Sequence, residues 1–286
     1  MHSYRKIFLV FIILSLSITI NIPLAQEKKI AFAIAPMASP ASNLSIYSDF
    51  INYLSNKIGY EVVIIQRRTY AEINSLLETG EAQFAFISTG AFLSGSDTFG
   101  LEPLAVPVRD GKTSHNSYII VNKENKIDDF LQLKGKVFAF SDPLSFTGRL
   151  YPLHVLKTMG VKPKEFFEMT FFTSSHEKSI ESVANGLADG AAVDSLIFNG
   201  LKRDGVPFIE QVKVIKISPP YGMPPIVASP LADNTAKQRI LRALIKMAED
   251  PAGREVLDSI EIEKYIRPST AIYRTAVKLR QAALLP

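Results

Sequence analysis

Short apolar runs alternate with helical patterns along most of the chain. The run from Lys29 to Ala35 predicts a first strand, and apolar positions between Ile46 and Ile58 recur at the helical period. The other predicted strands span 61–65, 84–87, 104–108, 117–122, 137–140, 169–173, 190–194, 212–217 and 226–228. The other predicted helices cover 70–77, 128–133, 150–159, 174–183, 231–248, 251–260 and 271–284. Strands separated by helices are typical of α/β proteins with parallel sheets.

Two such series predict a chain that leaves one α/β unit, builds a second and returns to the first. We assign residues 26–117 plus 226–286 to lobe 1 and residues 118–225 to lobe 2. Two crossovers are then expected near Ser117–Asn122 and Ile217–Ile226. A cleft between the lobes would be lined by the carboxyl ends of parallel strands.

One stretch combines a buried strand, a turn and two hydroxyls. The apolar run 137–140 ends at the turn dipeptide Asp142-Pro143, and Ser145 and Thr147 precede a helical pattern. The first N–H groups of a helix have no internal partner, and the helix dipole places partial positive charge there. Hydroxyls beside such groups favour an anion site. The alternative is a capped strand-to-helix turn without a ligand.

Other polar side chains also follow predicted strands. Ser88 and Thr89 come directly after the strand 84–87, His176 follows the strand 169–173, and Asp194 ends the strand 190–194. Helix capping by itself could explain one polar residue at a strand end. It explains less well why several such residues would converge on one cleft. We therefore add these four residues to the candidate ligand site, although Asp194 could instead cap a helix that begins at Ser195.

The amino terminus has the pattern of an export signal. Arg5 and Lys6 precede an apolar segment, and a cut after Ala25 would give a signal peptide of residues 1–25. The alternative is an uncleaved anchor helix, because the apolar segment is near the length that spans a bilayer. The chain contains no cysteine, which excludes disulfides and a lipid-modified cysteine at the cut. An exported protein without a lipid anchor suits a periplasm.

Composition argues against several function classes. The 32 Lys and Arg against 28 Asp and Glu give a net charge of only +4, without a basic run, so nucleic-acid binding is not expected. The four histidines lack metal-ligand spacing, so we expect no metal. A Gly-rich phosphate loop and a dinucleotide fingerprint are missing, so no nucleotide or other cofactor is expected. Ser145, His176 and Asp194 could suggest a hydrolase, but no nucleophile elbow accompanies them.

The order of these motifs resembles the substrate-binding proteins of ABC transporters for phosphonate, phosphite and phosphate (PhnD-like). The most specific motif is Asp142-Pro143-x-Ser145-x-Thr147-Gly148. The remaining motifs, individually weaker, are Tyr47, Leu54-Ser-Asn-Lys-Ile-Gly59, Tyr70-Ala-Glu, Phe84 to Phe92, Ser117-Tyr-Ile-Ile-Val121, Ser175-His176, Ala192-Val-Asp194-Ser195 and Glu249-Asp-Pro-x-Gly253. The resemblance covers essentially the whole chain after the signal. It implies a two-lobed type 2 periplasmic-binding-protein fold with two crossovers and a ligand cleft between the lobes.

The resemblance also implies roles for particular residues. Hydroxyls and N–H groups of the Asp-Pro motif, here Ser145 and Thr147, would hold an oxyanion, and Tyr47, His176 and Asp194 would complete the pocket. Asp194 could accept a hydrogen bond from a protonated P–OH or a ligand amine. Relatives commonly carry a hydroxyl residue where this chain has Phe146, which removes one side-chain donor.

We therefore expect an exported monomer, not an enzyme, that captures a small phosphorus oxyanion and delivers it to an inner-membrane ABC permease. Two alternatives remain open at this point. The same kind of module could report ligand occupancy to a membrane kinase or cyclase, or it could bind a different small ligand.

Overall fold

A computed structural model describes residues 29–284, without the side chains of residues 270 and 284. The predicted cut after Ala25 therefore lies outside the described residues. The strands are β1 (Lys29–Ile34), β2 (Glu61–Gln66), β3 (Phe84–Phe86), β4 (Glu102–Val108), β5 (Ser114–His115), β6 (Ser117–Asn122), β7 (Val137–Phe140), β8 (Met169–Phe172), β9 (Gly190–Asp194), β10 (Val212–Ile217), β11 (Tyr221–Gly222), β12 (Ile226–Ala228) and β13 (Lys264–Ile266).

The α-helices lie between these strands and after them. They are α1 (Pro40–Ile58), α2 (Tyr70–Thr79), α3 (Thr89–Phe99), α4 (Tyr151–Thr158), α5 (Pro163–Phe166), α6 (His176–Ala184), α7 (Ser195–Arg203), α8 (Asn234–Lys246), α9 (Pro251–Ser259) and α10 (Thr270–Leu284). Short 3₁₀ turns occur at Phe130–Leu133, Pro207–Gln211 and Met247–Glu249, and a π-helical turn at Phe146–Leu150. The predicted helix at 128–133 is thus only a 3₁₀ turn. Among residues 29–284, no helix is long and apolar enough to cross a membrane.

Two larger sheets form the two lobes. The first sheet has the order β13-β4-β12-β3-β1-β2 and the second has the order β10-β6-β9-β7-β8. Both sheets are mixed, whereas the sequence predicted parallel ones. In the first sheet β12 runs antiparallel to β3 and β4, and in the second β6 runs antiparallel to β9 and β10.

The direction of these two strands follows from the crossovers. β6 carries the chain into the second lobe, and β12 carries it back into the first. A strand that enters from the other lobe must run away from the cleft. The strands β1, β3, β7 and β9 run toward it, so the entering strands oppose them.

A two-stranded sheet joins the lobes. β5 and β11 pair antiparallel, with Tyr221 opposite His115 and Gly222 opposite Ser114. The first crossover therefore precedes the predicted segment Ser117–Asn122, which is strand β6 of the second sheet. The carboxyl-terminal helix α10 packs against β11 and against α4, so it contacts both sides of this hinge.

Alternating side chains on β7 show how the second lobe is packed. Phe138 and Phe140 face the main apolar core, whereas Ala139 between them faces a second cluster on the other side of the sheet. That second cluster includes Ile180 of α6 and Phe198 of α7. The sheet is therefore covered on both faces, as expected for a largely parallel sheet.

The lobes touch each other across the cleft. At its rim, the side chain of Glu177 accepts hydrogen bonds from the Ser39 N–H (2.8 Å) and the Ser42 hydroxyl (3.2 Å). Deeper in the cleft, a Cβ atom on Gly90 would overlap the carbonyl oxygen of Leu144. These contacts join α1 and α3 of the first lobe to α6 and the loop after β7 of the second. In this structure the two lobes are therefore closed on each other across the cleft.

Candidate functional site

The loop after β7 presents two hydroxyls at the start of a helical run. The Ser145 hydroxyl accepts the Gly148 N–H at 2.9 Å, and the Leu150 N–H bonds to the Ser145 carbonyl at 3.0 Å. That second bond spans five residues, which makes the first turn a π turn that continues into α4. π turns often occur at functional sites. The sequence predicted the helix and its Ser145 cap, but not the wider first turn.

Gly148 is required at this turn for a steric reason. A Cβ atom there would overlap the Ser141 hydroxyl and lie 2.9 Å from Cε1 of His176. The absence of a side chain thus lets the start of α6 approach the loop after β7. His176 is the first residue of α6, and its ring is 1% exposed.

His176 carries its proton on the nitrogen that faces Ser145. The Asp194 N–H donates to Nδ1 at 3.1 Å, so the neutral ring holds its hydrogen on Nε2. Nε2 lies 3.4 Å from the Ser145 hydroxyl oxygen. Burial lowers the pKa of His176 from 6.5 to about 4, against the attraction of Asp194, and His115 lowers it further. His176 is therefore a neutral donor near pH 7.

Asp194 connects the parts of the site. Its Oδ1 accepts the Leu196 N–H at 2.9 Å, which caps α7, and its Oδ2 lies 2.8 Å from Nδ1 of His115. The Thr147 hydroxyl donates to the same Oδ2 at 3.3 Å. Burial would raise the pKa of Asp194, but His115 and then His176 outweigh burial and hold it below its usual range. The carboxylate is therefore ionised, and the predicted capping role is one of its functions.

The first lobe contributes Ser88 and Thr89 from the start of α3. The Ser88 hydroxyl accepts the Ala91 N–H at 3.2 Å and caps this helix. The Thr89 hydroxyl donates to the Gly222 carbonyl at 2.7 Å and lies 3.4 Å from Nε2 of His115. Thr89 therefore ties α3 to the hinge strand β11, whereas the Ser88 hydroxyl hydrogen remains available to another acceptor.

Tyr47 packs among aromatic rings of the first lobe. Its ring packs against Phe86, with centroids 5.5 Å apart, and against Phe50 at 6.3 Å. Burial raises the pKa of Tyr47 far above 10, so it stays a neutral phenol. Tyr47 and Asp194 both line a cavity of about 670 Å³ between the lobes. The structure thus brings Ser145, Thr147, His176 and Asp194 together, and sets Tyr47 in the wall of the adjoining cavity.

Two residues of the site were not predicted from the sequence. His115 is 3% exposed in the hinge strand β5 and forms the close pair with Asp194. Tyr70 is fully buried at the start of α2, and its hydroxyl lies beside Ser145 without a hydrogen bond of normal geometry. The Tyr70 N–H, in turn, donates to Asp142 at 3.1 Å across the cleft. Burial first, and then Asp142 and Asp194, raise the pKa of Tyr70, so its phenol keeps its proton.

Phe146, the departure from the common motif, faces away from the hydroxyl cluster. Its side chain is 1% exposed, and its ring packs edge-on against Tyr221 of β11 with centroids 4.7 Å apart. The residue therefore adds an apolar contact between the helical run and the hinge, where a hydroxyl residue would offer a donor.

The chemistry of the site is that of an oxyanion receptor. The Ser145 and Tyr70 hydroxyls and Nε2–H of His176 are neutral donors, all of them buried, whereas the Thr147 hydroxyl donates to Asp194. Buried donors without competing water favour a bound oxyanion, and they select by hydrogen bonds as well as by charge. Among residues 29–284 no cluster of His, Cys, Asp and Glu is arranged to hold a metal ion.

Comparisons with known proteins place this geometry in a family. Residues 32–273 match the family model described as "ABC transporter, phosphonate, periplasmic substrate-binding protein". The chain is 24% identical over 241 residues to the phosphonates-binding periplasmic protein of Escherichia coli K12, which covers 82% of this chain and 71% of that protein. It is 29% identical over 175 residues to the phosphate-import protein PhnD of Mycolicibacterium smegmatis, which covers 56% of this chain and 54% of the relative.

A solved structure is similar over nearly the whole chain. It is a binding protein component of an ABC phosphonate transporter from Pseudomonas aeruginosa, with a TM-score of 0.85 and 25% identity. The superposition covers 90% of this chain and 87% of that one. The two-lobed periplasmic-binding-protein fold expected from the sequence is therefore confirmed.

The low pKa of His176 predicts a specific loss of stability in acid. The unfolded chain binds a proton at this residue below about pH 6.5, whereas the folded protein does so only near pH 4. The stability that the neutral ring contributes is thus fully present above pH 6.5. It is lost as the pH falls from 6.5 to about 4, by about 3 kcal/mol in total. His176→Gln should lose that part of the pH dependence. Urea unfolding of both proteins from pH 7 to pH 4 measures it, and equal slopes would contradict the assignment.

Proposed function

Because the chain belongs to the family of periplasmic substrate-binding proteins of phosphonate ABC transporters, we propose that it binds a small phosphorus oxyanion between its lobes. The family consists of transport proteins and not of enzymes. The observation that carries the proposal is the buried pair of neutral donors formed by Ser145 and His176, with the Thr147 hydroxyl beside them on Asp194. Relatives that are named for phosphonate and for phosphate support the same ligand class.

The donors suit the tetrahedral oxyanion in a defined way. The Ser145 hydroxyl already accepts the Gly148 N–H, so its own hydrogen can point to a ligand oxygen. Nε2–H of His176 lies beside it and provides a second donor. The N–H groups of the first turn after Ser145 add partial positive charge without a Lys or Arg. We propose that these groups hold the phosphoryl oxygens, with the Ser88 hydroxyl closing over them from the first lobe.

Asp194 has a positioning role in this proposal. Its carboxylate aligns the Thr147 hydroxyl, and its N–H fixes the tautomer of His176. Its Oδ2 lies 2.8 Å from Nδ1 of His115, so the carboxylate does not face the anion without a hydrogen-bond partner. A proton on the ligand would give Asp194 a further donor, as the sequence suggested.

The protein serves an ABC transporter. We propose export by a signal peptide that is cut after Ala25, and delivery of the ligand by a monomer to the inner-membrane permease. Sequencing the amino terminus of the exported protein tests the position of the cut. Light scattering tests whether the protein is a monomer. The alternative of a sensor for a membrane kinase or cyclase gains no support from the relatives described above.

Loss of a motif hydroxyl should weaken ligand binding and leave the fold intact. Ser145→Ala and Thr147→Ala each remove a hydrogen bond to a charged group, so affinity should fall roughly ten- to hundredfold. The helix cap lost in Ser145→Ala costs only about 1 kcal/mol of folding free energy. In Thr147→Ala, Asp194 keeps His115 and the Leu196 N–H as partners. Thr158→Ala, on an exposed turn of α4, is the matched control. Calorimetric titration with methylphosphonate, phosphite, phosphate and sulfate provides the comparison.

Two results of that titration would contradict the proposal. One is a wild-type protein that binds none of the three phosphorus compounds. The other is a pair of variants that bind as tightly as the wild type while the Thr158→Ala control behaves normally.

A methyl group at Gly90 should prevent closure. Its Cβ would overlap the Leu144 carbonyl oxygen and lie 2.8 Å from the Phe146 nitrogen, and both are backbone atoms of the other lobe. Gly90 lies in a helix with ordinary dihedrals, so Gly90→Ala should fold normally. Small-angle scattering with methylphosphonate should show compaction of the wild type but not of the variant.

Gly200→Ala is the matched control, because the nearest heavy atom to its added Cβ is 3.7 Å away. This variant should still compact with ligand. Equal compaction of Gly90→Ala and wild type would show that the contact at Gly90 does not limit closure.

A further inference from the structure

Helix α1 starts with only half of a capping box. The Ser39 side chain caps the helix by accepting the Ser42 N–H at 3.2 Å. In a complete capping box, a Glu or Gln three residues after the cap accepts the N–H of the cap residue in return. Ser42 occupies that position in α1, and the first turn, residues 40–43, contains no acidic residue. The sequence of α1 therefore lacks the partner that this motif provides for the Ser39 N–H.

Helix α2 shows the complete motif in the same lobe. The Thr69 hydroxyl accepts the Glu72 N–H at 3.2 Å, and the Glu72 carboxylate accepts the Thr69 N–H at 3.0 Å. The starts of the two helices thus differ in one respect, an acidic residue in α2 where α1 has a serine. This comparison defines where a carboxylate has to lie to complete the cap of α1.

The second lobe supplies this carboxylate. Oε2 of Glu177 accepts the Ser39 N–H at 2.8 Å and the Ser42 hydroxyl at 3.2 Å. Glu177 itself lies in the first turn of α6, so its charge is close to the N-terminal ends of two helices at once. A carboxylate in this position is stabilised by the helix dipole as well as by its hydrogen bonds. With the lobes closed, Glu177 thus completes the capping box of α1 from the other lobe.

The same turn of α6 reaches the proposed anion site. The His176 N–H donates to the Met37 carbonyl at 3.0 Å, which adds a backbone hydrogen bond between the lobes to the two made by Glu177. Nε2 of this histidine lies 3.4 Å from the Ser145 hydroxyl oxygen. A donor of the anion site and the contact between the lobes are therefore neighbours in the chain, and each restricts the position of the other.

Opening of the cleft has to break this cap, because Glu177 and Ser39 belong to different lobes. Water would replace the lost hydrogen bonds on both sides, so the contact favours closure by a modest net amount and does not lock the lobes. A bound ligand adds its own contacts to that preference. Loss of the cap should therefore affect closure and the release of ligand, and much less the folding of either lobe.

We propose that Glu177 is a positioning residue for ligand binding, which caps α1 from the other lobe and so favours the closed arrangement of the lobes around the ligand. This inference rests on the proposed binding of a phosphorus oxyanion between the lobes. Glu177 acts in it through Ser39 and the start of α1, and needs no contact with the ligand.

Removal of the carboxylate should weaken ligand binding without destabilising the free protein. Glu177→Ala should lower the affinity for methylphosphonate about tenfold and reduce the compaction that the ligand causes. Glu177→Gln keeps an acceptor for the Ser39 N–H but loses the charge, so it should lose less affinity. Glu181→Ala, at an exposed position one turn further along α6, is the matched control. Calorimetric titration measures affinity, small-angle scattering measures compaction, and urea unfolding without ligand measures stability.

A carboxylate within α1 itself should compete with Glu177. Ser42→Glu places an acidic side chain where the capping box requires it, and the new charge repels Glu177 across the cleft. The free protein should be at least as stable as the wild type, whereas the affinity for methylphosphonate should fall about tenfold. Asn52→Glu adds the same charge at an exposed position of α1 and is the matched control. Adding Glu177→Ala to Ser42→Glu should weaken binding no further, because it removes the repulsion.

The outcomes separate this inference from the function on which it rests. If the wild type binds none of methylphosphonate, phosphite and phosphate, the proposed function is wrong and this inference is wrong with it. If the wild type binds and either Glu177→Ala or Ser42→Glu binds equally well, the cap does not favour closure, and the oxyanion site stands. A Glu177→Ala variant that loses as much folding stability as ligand affinity would show a purely structural role. Losses that add up in the double variant would show that Glu177 does not act through α1.

Discussion

The buried carboxylate of Asp194 is the interaction on which the site depends. A charge at 3% exposure is stable only if its oxygens have donors, and here they come from three separate parts of the chain. His115 belongs to the hinge, Thr147 to the helical run after β7, and the Leu196 N–H to α7. Each donor that satisfies the charge also positions an element of the cleft. The hydrogen bonds that stabilise the buried charge of Asp194 therefore also hold the anion site together.

The same residue sets the chemistry of its neighbour. The Asp194 N–H donates to Nδ1 of His176, and burial keeps the ring neutral, so the hydrogen of the ring lies on Nε2, the nitrogen near Ser145. A protonated histidine would attract many anions by charge alone. A neutral donor in a fixed tautomer selects instead by direction, together with the Ser145 and Thr147 hydroxyls. Closure matters for this selectivity because the lobes meet closely at Gly90 and the donors are buried.

Local patterns in the sequence predicted much of this arrangement. The strand 137–140 and the hydroxyls after it are recognisable because apolar runs, turn residues and caps act over a few neighbours. The positions of His176 and Asp194 at strand ends follow from the same local signals. Together with Ser145 and Thr147, these two residues meet in space because strands that run toward the cleft end at one edge.

What the sequence missed depends on contacts between distant segments. The hinge strands β5 and β11 have two residues each, too short to show a period, and His115 gains its role only from pairing across that hinge. Tyr70 starts α2 next to a good capping box, so its local pattern indicates a helix start and not a site. The antiparallel β6 and β12 follow from the crossovers, which set strand direction without changing hydrophobic pattern.

An experimental structure of the protein with methylphosphonate tests the central claim most directly. We expect phosphoryl oxygens within hydrogen-bond distance of the Ser145 hydroxyl and Nε2 of His176, between closed lobes. We also expect the methyl group to point past Asp194 toward Tyr47. A phosphonate bound outside the cleft, or in the cleft without contact to Ser145 and His176, would contradict the account.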